Sequence, residues 1–167
     1  MTSLNLQEAR HFAARIAARA DIREVRLLES NFKLNRMPVN DHLVYKLEKD
    51  PQVEYSEGDG FFVITSRYSL LIAEVEHESA NVPNQTEEGE EDVIAMVDFK
   101  LAGLFELNMR EDDDAPRIDE LMAYAWSMGN FALHPYAREY ISNVTSRLGL
   151  PPLTINVLQL DYDPDKG

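Results

Sequence analysis

The chain of 167 residues contains no cysteine, which excludes disulfides, thiolate metal sites and a cysteine nucleophile. Positive charge is scarce: 16 Lys and Arg face 30 Asp and Glu, for a formal net charge of −14. Nucleic-acid binding draws on a basic patch, and adsorption to a membrane surface draws on a basic helix face. Neither partner is expected. No apolar run approaches the ~20 residues that span a bilayer. The opening Met1-Thr2-Ser3-Leu4-Asn5 lacks a basic segment followed by an apolar core, which predicts no secretory leader and a cytoplasmic protein.

Motifs of catalysis are missing as well. Gly58-Asp59-Gly60 precedes a strand pattern and lacks the spacing of a phosphate-cradling loop. There is no G-x-S-x-G elbow. His11, His42, His77 and His134 are scattered, without the H-E-x-x-H spacing of a zinc site. Asp112-Asp113-Asp114 lacks the spacing and the closing glutamate of a calcium loop. No enzyme, cofactor or metal is expected from these residues.

What is present is patterned charge and a surplus of apolar residues. From Met1 to Arg36 the chain carries a net +3, and the remainder carries −17. Within the basic front, Leu6, Ala9, Phe12, Ala13, Ile16, Ala17 and Ala20 recur at spacings of three and four, which predicts a helix over 5–20. Ile22 to Leu34 then predicts a first strand, and 35–41 a breaker segment around Pro38. Leu43, Tyr45 and Leu47 alternate with Val44, Lys46 and Glu48 as in a half-buried strand. A turn at 56–60 leads into a long strand from Phe61 to Glu76, with a bulge expected where the apolar phase blurs at Arg67-Tyr68.

Residues 77–92, with the run Glu87-Glu88-Gly89-Glu90-Glu91-Asp92, predict a mobile acidic loop. Val93 to Phe105 is the clearest strand. Val93, Ala95, Val97, Phe99, Leu101, Gly103 and Phe105 share one face, and Ile94, Met96, Ala102 and Leu104 make the other mostly apolar too. After Pro116 the period becomes helical. Gly129 is expected to break a first helix, Pro135 to sit in the first turn of a second, and Gly149 to stop it. An extended apolar segment follows, and 161–167 are expected to fray. One domain spanning 1–167 results, of the α+β class. It has a four-stranded antiparallel meander packed with C-terminal helices, plus an extra N-terminal helix.

The two-sided strand, the stretch Met37 to Leu47 and the segment Leu153 to Leu160 together hold more apolar surface than such a domain covers. Monomers rarely expose more than a few hundred Å² of contiguous apolar surface. At ~25 cal/mol per Å², such a patch is worth several kcal/mol to a partner. Subunit packing, an open face for a client, or both follow from this. Asp98, alone among apolar neighbours on its strand, is expected to contact a partner or pair locally rather than catalyse.

The segment Phe131-Ala132-Leu133-His134-Pro135-Tyr136-Ala137-Arg138-Glu139 with Ser146-Arg147 and Pro151-Pro152-Leu153 resembles the signature helix of the SecB family of export chaperones. Val97-Asp98-Phe99-Lys100-Leu101-Ala102-Gly103-Leu104-Phe105 resembles the family's fourth strand, and the resemblance spans 22–160. It implies an ATP-independent holdase, a homotetramer built as a dimer of dimers, that binds unfolded polypeptides in apolar grooves. Carried over by position, the groove takes Met37, Val39, Leu43, Tyr45, Leu47, Leu158 and Leu160. Val97, Phe99, Leu101 and Tyr136 fall at or near a subunit interface, and Met96 and Asp98 face the SecA motor.

The helix ahead of the first strand is similar to that of the SecB-like chaperones attached to toxin–antitoxin systems. The chain also ends at Gly167 without the C-terminal helix and tail through which export members help contact SecA. The expected clients are therefore unfolded preproteins or an antitoxin, with SecA as a further candidate partner. The alternative is an oligomeric adaptor of the same fold without general chaperone activity.

Overall fold

The computed structural model describes residues 6–39, 42–58, 60–74, 93–110, 113–153 and 155. In chain order these form α1 (Leu6–Ala17), β1 (Ala20–Leu34), β2 (Leu43–Tyr55), β3 (Phe61–Glu74) and β4 (Val93–Leu107). Then come α2 (Ile118–Tyr124), a π-helical turn (Ala125–Gly129) and α3 (Asn130–Arg147). The expected acidic loop 77–92 and frayed tail 161–167 lie outside the described residues.

All four strands join one antiparallel sheet in the order β1-β4-β3-β2. The predicted meander is thereby corrected: β2, β3 and β4 neighbour one another in sequence, but β1 closes beside β4, a Greek-key order. Strand alternation fixes which face a residue takes and is silent about which strand lies alongside. β4, apolar on both faces, takes an interior place, and the charge-rich β1 and β2 take the edges. β2 runs on through Pro51 to Tyr55, an edge being where a strand tolerates proline.

No bulge forms at Arg67-Tyr68. The β2–β3 register runs unbroken from Leu43↔Glu74 to Tyr55↔Phe62. Tyr68 takes the buried face and stacks on Phe99 at 4.7 Å, while Arg67 takes the other face and is exposed. The irregularities fall at Ile72/Ala73 against β4, and at Ile22/Glu24 and Leu27/Glu29 in β1.

One face of the sheet carries the core: Phe62, Ile64, Tyr68, Leu70 and Ile72 of β3 beside Ala95, Val97, Phe99, Leu101 and Phe105 of β4. A helical rod from Ile118 to Arg147 covers it. Gly129 does not break that rod, contrary to expectation. The chain passes through the π-helical turn instead, and Gly129 is where the rod meets the sheet: a Cβ there would lie 2.5 Å from Ile64 Cδ1. Contact with the sheet outweighs the ~1 kcal/mol helix penalty of glycine. Because α3 starts at Asn130, Pro135 sits inside it rather than in a fresh first turn. Gly149, at φ +76°, ends the helix as expected.

The rod crosses the sheet obliquely. α2 and the π-turn lie against β2, whereas α3 lies against β1 and β4. Two opposite corners of the core face are left for other segments. α1 fills the first, burying Ala13 and Ile16 against α2 and the Phe62–Phe105 end of the sheet. The Glu120 carboxylate, 2% exposed, fastens it there. Arg15 Nη1 donates to Glu120 Oε1 at 2.7 Å, and Glu120 Oε2 accepts the Arg117 backbone N–H at 3.1 Å, closing the first turn of α2. The Arg117 guanidinium in turn covers the Phe12 ring at 4.9 Å.

Replacing Arg15 leaves a buried carboxylate short of a charged partner. Arg15→Ala is expected to cost about 1–3 kcal/mol in urea unfolding and to speed amide exchange in α1 selectively. Unchanged exchange in α1 would show that Glu120 does not fasten the helix.

Candidate functional site

The second corner lies where β2 begins. Here Leu43, Val44 and Tyr45 of β2, Ile72 of β3 and the segment Leu150-Pro151-Pro152-Leu153 beyond α3 enclose a cleft of about 190 Å³. Its floor follows from register. Leu43, Tyr45 and Leu47 pair with Glu74, Ile72 and Leu70, so they continue the core face outward to the sheet edge. Leu43 and Leu47 are half-buried and Tyr45 is 37% exposed.

The far wall is a stiff one. Pro151 and Pro152 carry no N–H and hold their φ angles fixed. On either side the chain is tied to Thr145, which is fully buried on α3. Leu150 N–H donates to the Thr145 carbonyl at 3.1 Å, and Leu153 N–H to Thr145 Oγ1 at 3.0 Å, while that hydroxyl donates to the Ile141 carbonyl at 2.9 Å. Leu150 and Ile155 are buried in the core below.

Beside this cleft, at the Gly149 turn, runs the segment that links β1 to β2. Greek-key order sends it across the ends of β4 and β3, and it is fastened to both. Asn35 N–H donates to the Ile94 carbonyl at 2.8 Å and Asn35 Nδ2 to the Val93 carbonyl at 3.1 Å. The Val39 N–H donates to Glu74 Oε1 at 2.6 Å, and Arg36 Nη1 donates to Glu74 Oε2. Between these anchors Met37 and Val39 stay open, 60% and 89% exposed, and the Met37 methyl reaches the Gly149 turn.

Of the residues expected to form a groove, Met37, Val39, Leu43, Tyr45 and Leu47 are brought to this one corner, whereas Leu158 and Leu160 lie outside the described residues. Val97, Phe99 and Leu101 are placed differently from the expected subunit contact. They are at most 3% exposed under α3, and Phe99 packs between Tyr68 and Tyr140, so their surface is spent within the chain. Only Tyr136 of that set is exposed, at 45%, one helical turn before Tyr140, whose hydroxyl meets Ser30 Oγ on β1. Met96 and Asp98 sit on the opposite face, which none of the described helices covers. There Asp98 lines a shallow charged depression with Glu48, Asp50 and Arg67.

Sequence reasoning missed the proline wall and the Glu74 anchor. Pro151-Pro152 directly after the Gly149 stop signals a stiff turn back toward the sheet. A lone glutamate ending the apolar β3 row at Ile72 signals a buried charge that needs partners.

On β2 the core-facing row Leu43, Tyr45, Leu47 is interrupted by a charge before it resumes at Pro51. Lys49, opposite Tyr68, is partly desolvated, and burial lowers its ammonium pKa. Burial likewise raises that of the Tyr68 hydroxyl. Among the described residues no three His, Asp or Glu side chains converge as metal ligands, and no helix is long and apolar enough to cross a membrane. What the corner can do is remove apolar side chains from water, worth ~1.5–3 kcal/mol for each one fully buried.

A scan against protein-family models finds no match. Among curated proteins, the SecB-like chaperones MT2006 and Rv1957 of two Mycobacterium tuberculosis strains are each 40% identical to this chain over 147 residues, covering 87% of it and 81% of theirs. Among solved structures, the Mycobacterium tuberculosis Rv1957 SecB-like chaperone in complex with a ChAD peptide from the Rv1956 HigA1 antitoxin matches with a TM-score of 0.76. That match is at 38% identity and covers 92% of this chain and 99% of that one.

Tyr45 faces the cleft at a sheet edge and carries little of the core. Tyr45→Glu is expected to weaken binding of the apolar dye bis-ANS about tenfold, with the thermal melt moved by no more than a few degrees. Dye binding equal to that of the unaltered protein would place the accessible apolar surface elsewhere.

Proposed function

The chain belongs to the SecB-like chaperones, and on that premise we propose that it is an ATP-independent holdase whose dedicated client is an antitoxin. The observation that carries this reading is the open apolar corner around Leu43, Tyr45, Met37 and Pro151-Pro152. Burial of apolar surface is non-directional, and the thioether of Met37 adapts to different side chains. An unfolded segment can therefore be held there with no bond made or broken, and no reaction is proposed. The relative's antitoxin peptide supports a client of the same kind.

We place the protein in the cytoplasm, where an antitoxin is made, and as a homotetramer. Support for the assembly comes from β1, an edge strand that leaves Ile22, Leu27 and Phe32 exposed at 37%, 47% and 52%. Trp126 and Tyr136 on the helical layer, 51% and 45% exposed, add to it. Large apolar side chains exposed among the charges of an edge strand favour cover by another chain. Unfolded preproteins are a second client class. Docking to SecA is the finer reading of the face around Met96 and Asp98.

Two probes test the reading. Purified protein without nucleotide is expected to slow aggregation of a chemically unfolded test protein, and to bind a synthetic HigA1 ChAD peptide by fluorescence anisotropy. Binding of the peptide alone makes it a dedicated chaperone, and binding of both makes it a general one. Failure with both sinks the holdase reading in favour of an adaptor.

A further inference from the structure

Along β3 the row that faces the core reads Phe62, Ile64, Ser66, Tyr68, Leu70, Ile72 and then Glu74, whose pairing with Leu43 keeps it in phase with that row. A carboxylate thus ends an otherwise mostly apolar row, immediately beside the groove. Its side chain is only 8% exposed. A buried carboxylate is tolerated when its oxygens are matched by donors. Both oxygens are matched here by one segment: Oε2 by the Arg36 guanidinium and Oε1 by the Val39 backbone N–H.

These two donors flank Met37, the residue that reaches across to the Gly149 turn at the head of the proline wall. Arg36 and Val39 are three residues apart, so two bonds to one carboxylate fix the loop between them as a small closed ring. The Asn35 bonds hold the β1 end of the same segment to the start of β4. The Val39 end of the segment is anchored by the carboxylate. Met37 and Val39 keep most of their surface in water, so their own packing does little to hold the segment in place. Glu74 supplies that hold.

We propose that Glu74 is a positioning residue for the groove. Its carboxylate holds the crossover segment 35–39 so that Met37 and Val39 form a fixed apolar rim facing the proline wall. The inference rests on the reading of this corner as the client site. Its physical content is preorganisation: a rim that is already ordered does not have to be ordered when a client binds.

The test uses the full-length chain and the HigA1 ChAD peptide, or a labelled, permanently unfolded test protein if only that binds. Glu74→Ala and Arg36→Ala are each expected to weaken binding about tenfold, with oligomeric state and the circular-dichroism spectrum unchanged. Met37→Ala combined with Val39→Ala removes the rim itself and is expected to weaken binding by a similar factor. Adding Glu74→Ala to that pair is then expected to cost less than a further twofold, because the residue acts through the rim it holds.

A Glu74→Ala loss that persists at full size in the rimless background overturns the proposal, since the residue would then act through general stability. Wild-type affinity in both Glu74→Ala and Arg36→Ala overturns it too. Should Glu74→Ala fail to fold, Arg36→Ala carries the comparison, because Arg36 is 39% exposed and lies outside the core. Failure of the unaltered protein to bind either probe instead overturns the holdase reading, a different result from unchanged binding in the variants.

Discussion

A single helical rod has to cover a sheet wider than itself. Strands of 13 to 15 residues are roughly 43–50 Å long at 3.3 Å per residue, and the run from Ile118 to Arg147 reaches about 45 Å at 1.5 Å per residue. The lengths match, but the widths do not. Four strands span about 19 Å at 4.8 Å spacing, against a helix about 10 Å across. Laid obliquely, the rod protects the middle of the core face and leaves a corner bare at each end. The π-helical turn at Ala125–Gly129 belongs to this solution, since it keeps the rod continuous while Gly129 lets it sit down on Ile64.

The two corners are closed by different means, and the difference is where function enters. At the Phe62–Phe105 end, α1 is a full helix with its own apolar face, and Ile16 becomes part of the core. At the β2 end, a short proline-stiffened segment and the start of β2 enclose a cleft, and a pinned crossover runs beside it. Among the described residues nothing fills that apolar space, and rigid walls around such a space cost stability because apolar surface stays wet. They also give binding energy to whatever fills the space. A corner closed by a helix like α1 would be more stable and would bind nothing.

How legible this was depended on the range of the interaction. The periodicities of α1, β2 and β4 were plain, because side-chain alternation and helical spacing are local, whereas that of β3 blurred at Arg67-Tyr68. β4 reads as two-sided, and it does sit inside the sheet. Strand order was not legible: a meander and a Greek key put the same residues on the same faces, and only non-local pairing between β1 and β4 separates them. The same limit explains Gly129, whose place is set by Ile64 some 65 positions away in the chain. It also explains Val97, Phe99 and Leu101, whose apolar character is equally suited to a subunit contact and to the core under α3, where they lie. At the groove, Leu43, Tyr45 and Leu47 were legible from alternation. The proline wall was not, because no local rule says that a segment more than a hundred residues later folds back over β2.

The uneven charge of the sequence has a structural meaning that composition alone does not reveal. Seven basic residues stand in the first 36 positions, and five of them are spent in ion pairs: Arg15 with Glu120, Arg19 with Asp113, Arg23 with Glu106, Arg26 with Glu24 and Arg36 with Glu74. Four of those five acids come from the acidic body of the chain. The Arg19, Arg23 and Arg26 pairs have both partners partly or largely in solvent, which screens them. Arg15–Glu120 and Arg36–Glu74 differ because their carboxylates are buried, at 2% and 8% exposure. One of them fastens the helix that fills the first corner, and the other fastens the segment that borders the second. The basic front is thus a set of internal counter-charges, used where the oblique rod leaves the sheet uncovered. Of the described acidic residues outside these pairs, Glu48, Asp50, Glu54 and Glu57 are exposed, and a net charge of −14 opposes self-association of a protein with an open apolar corner.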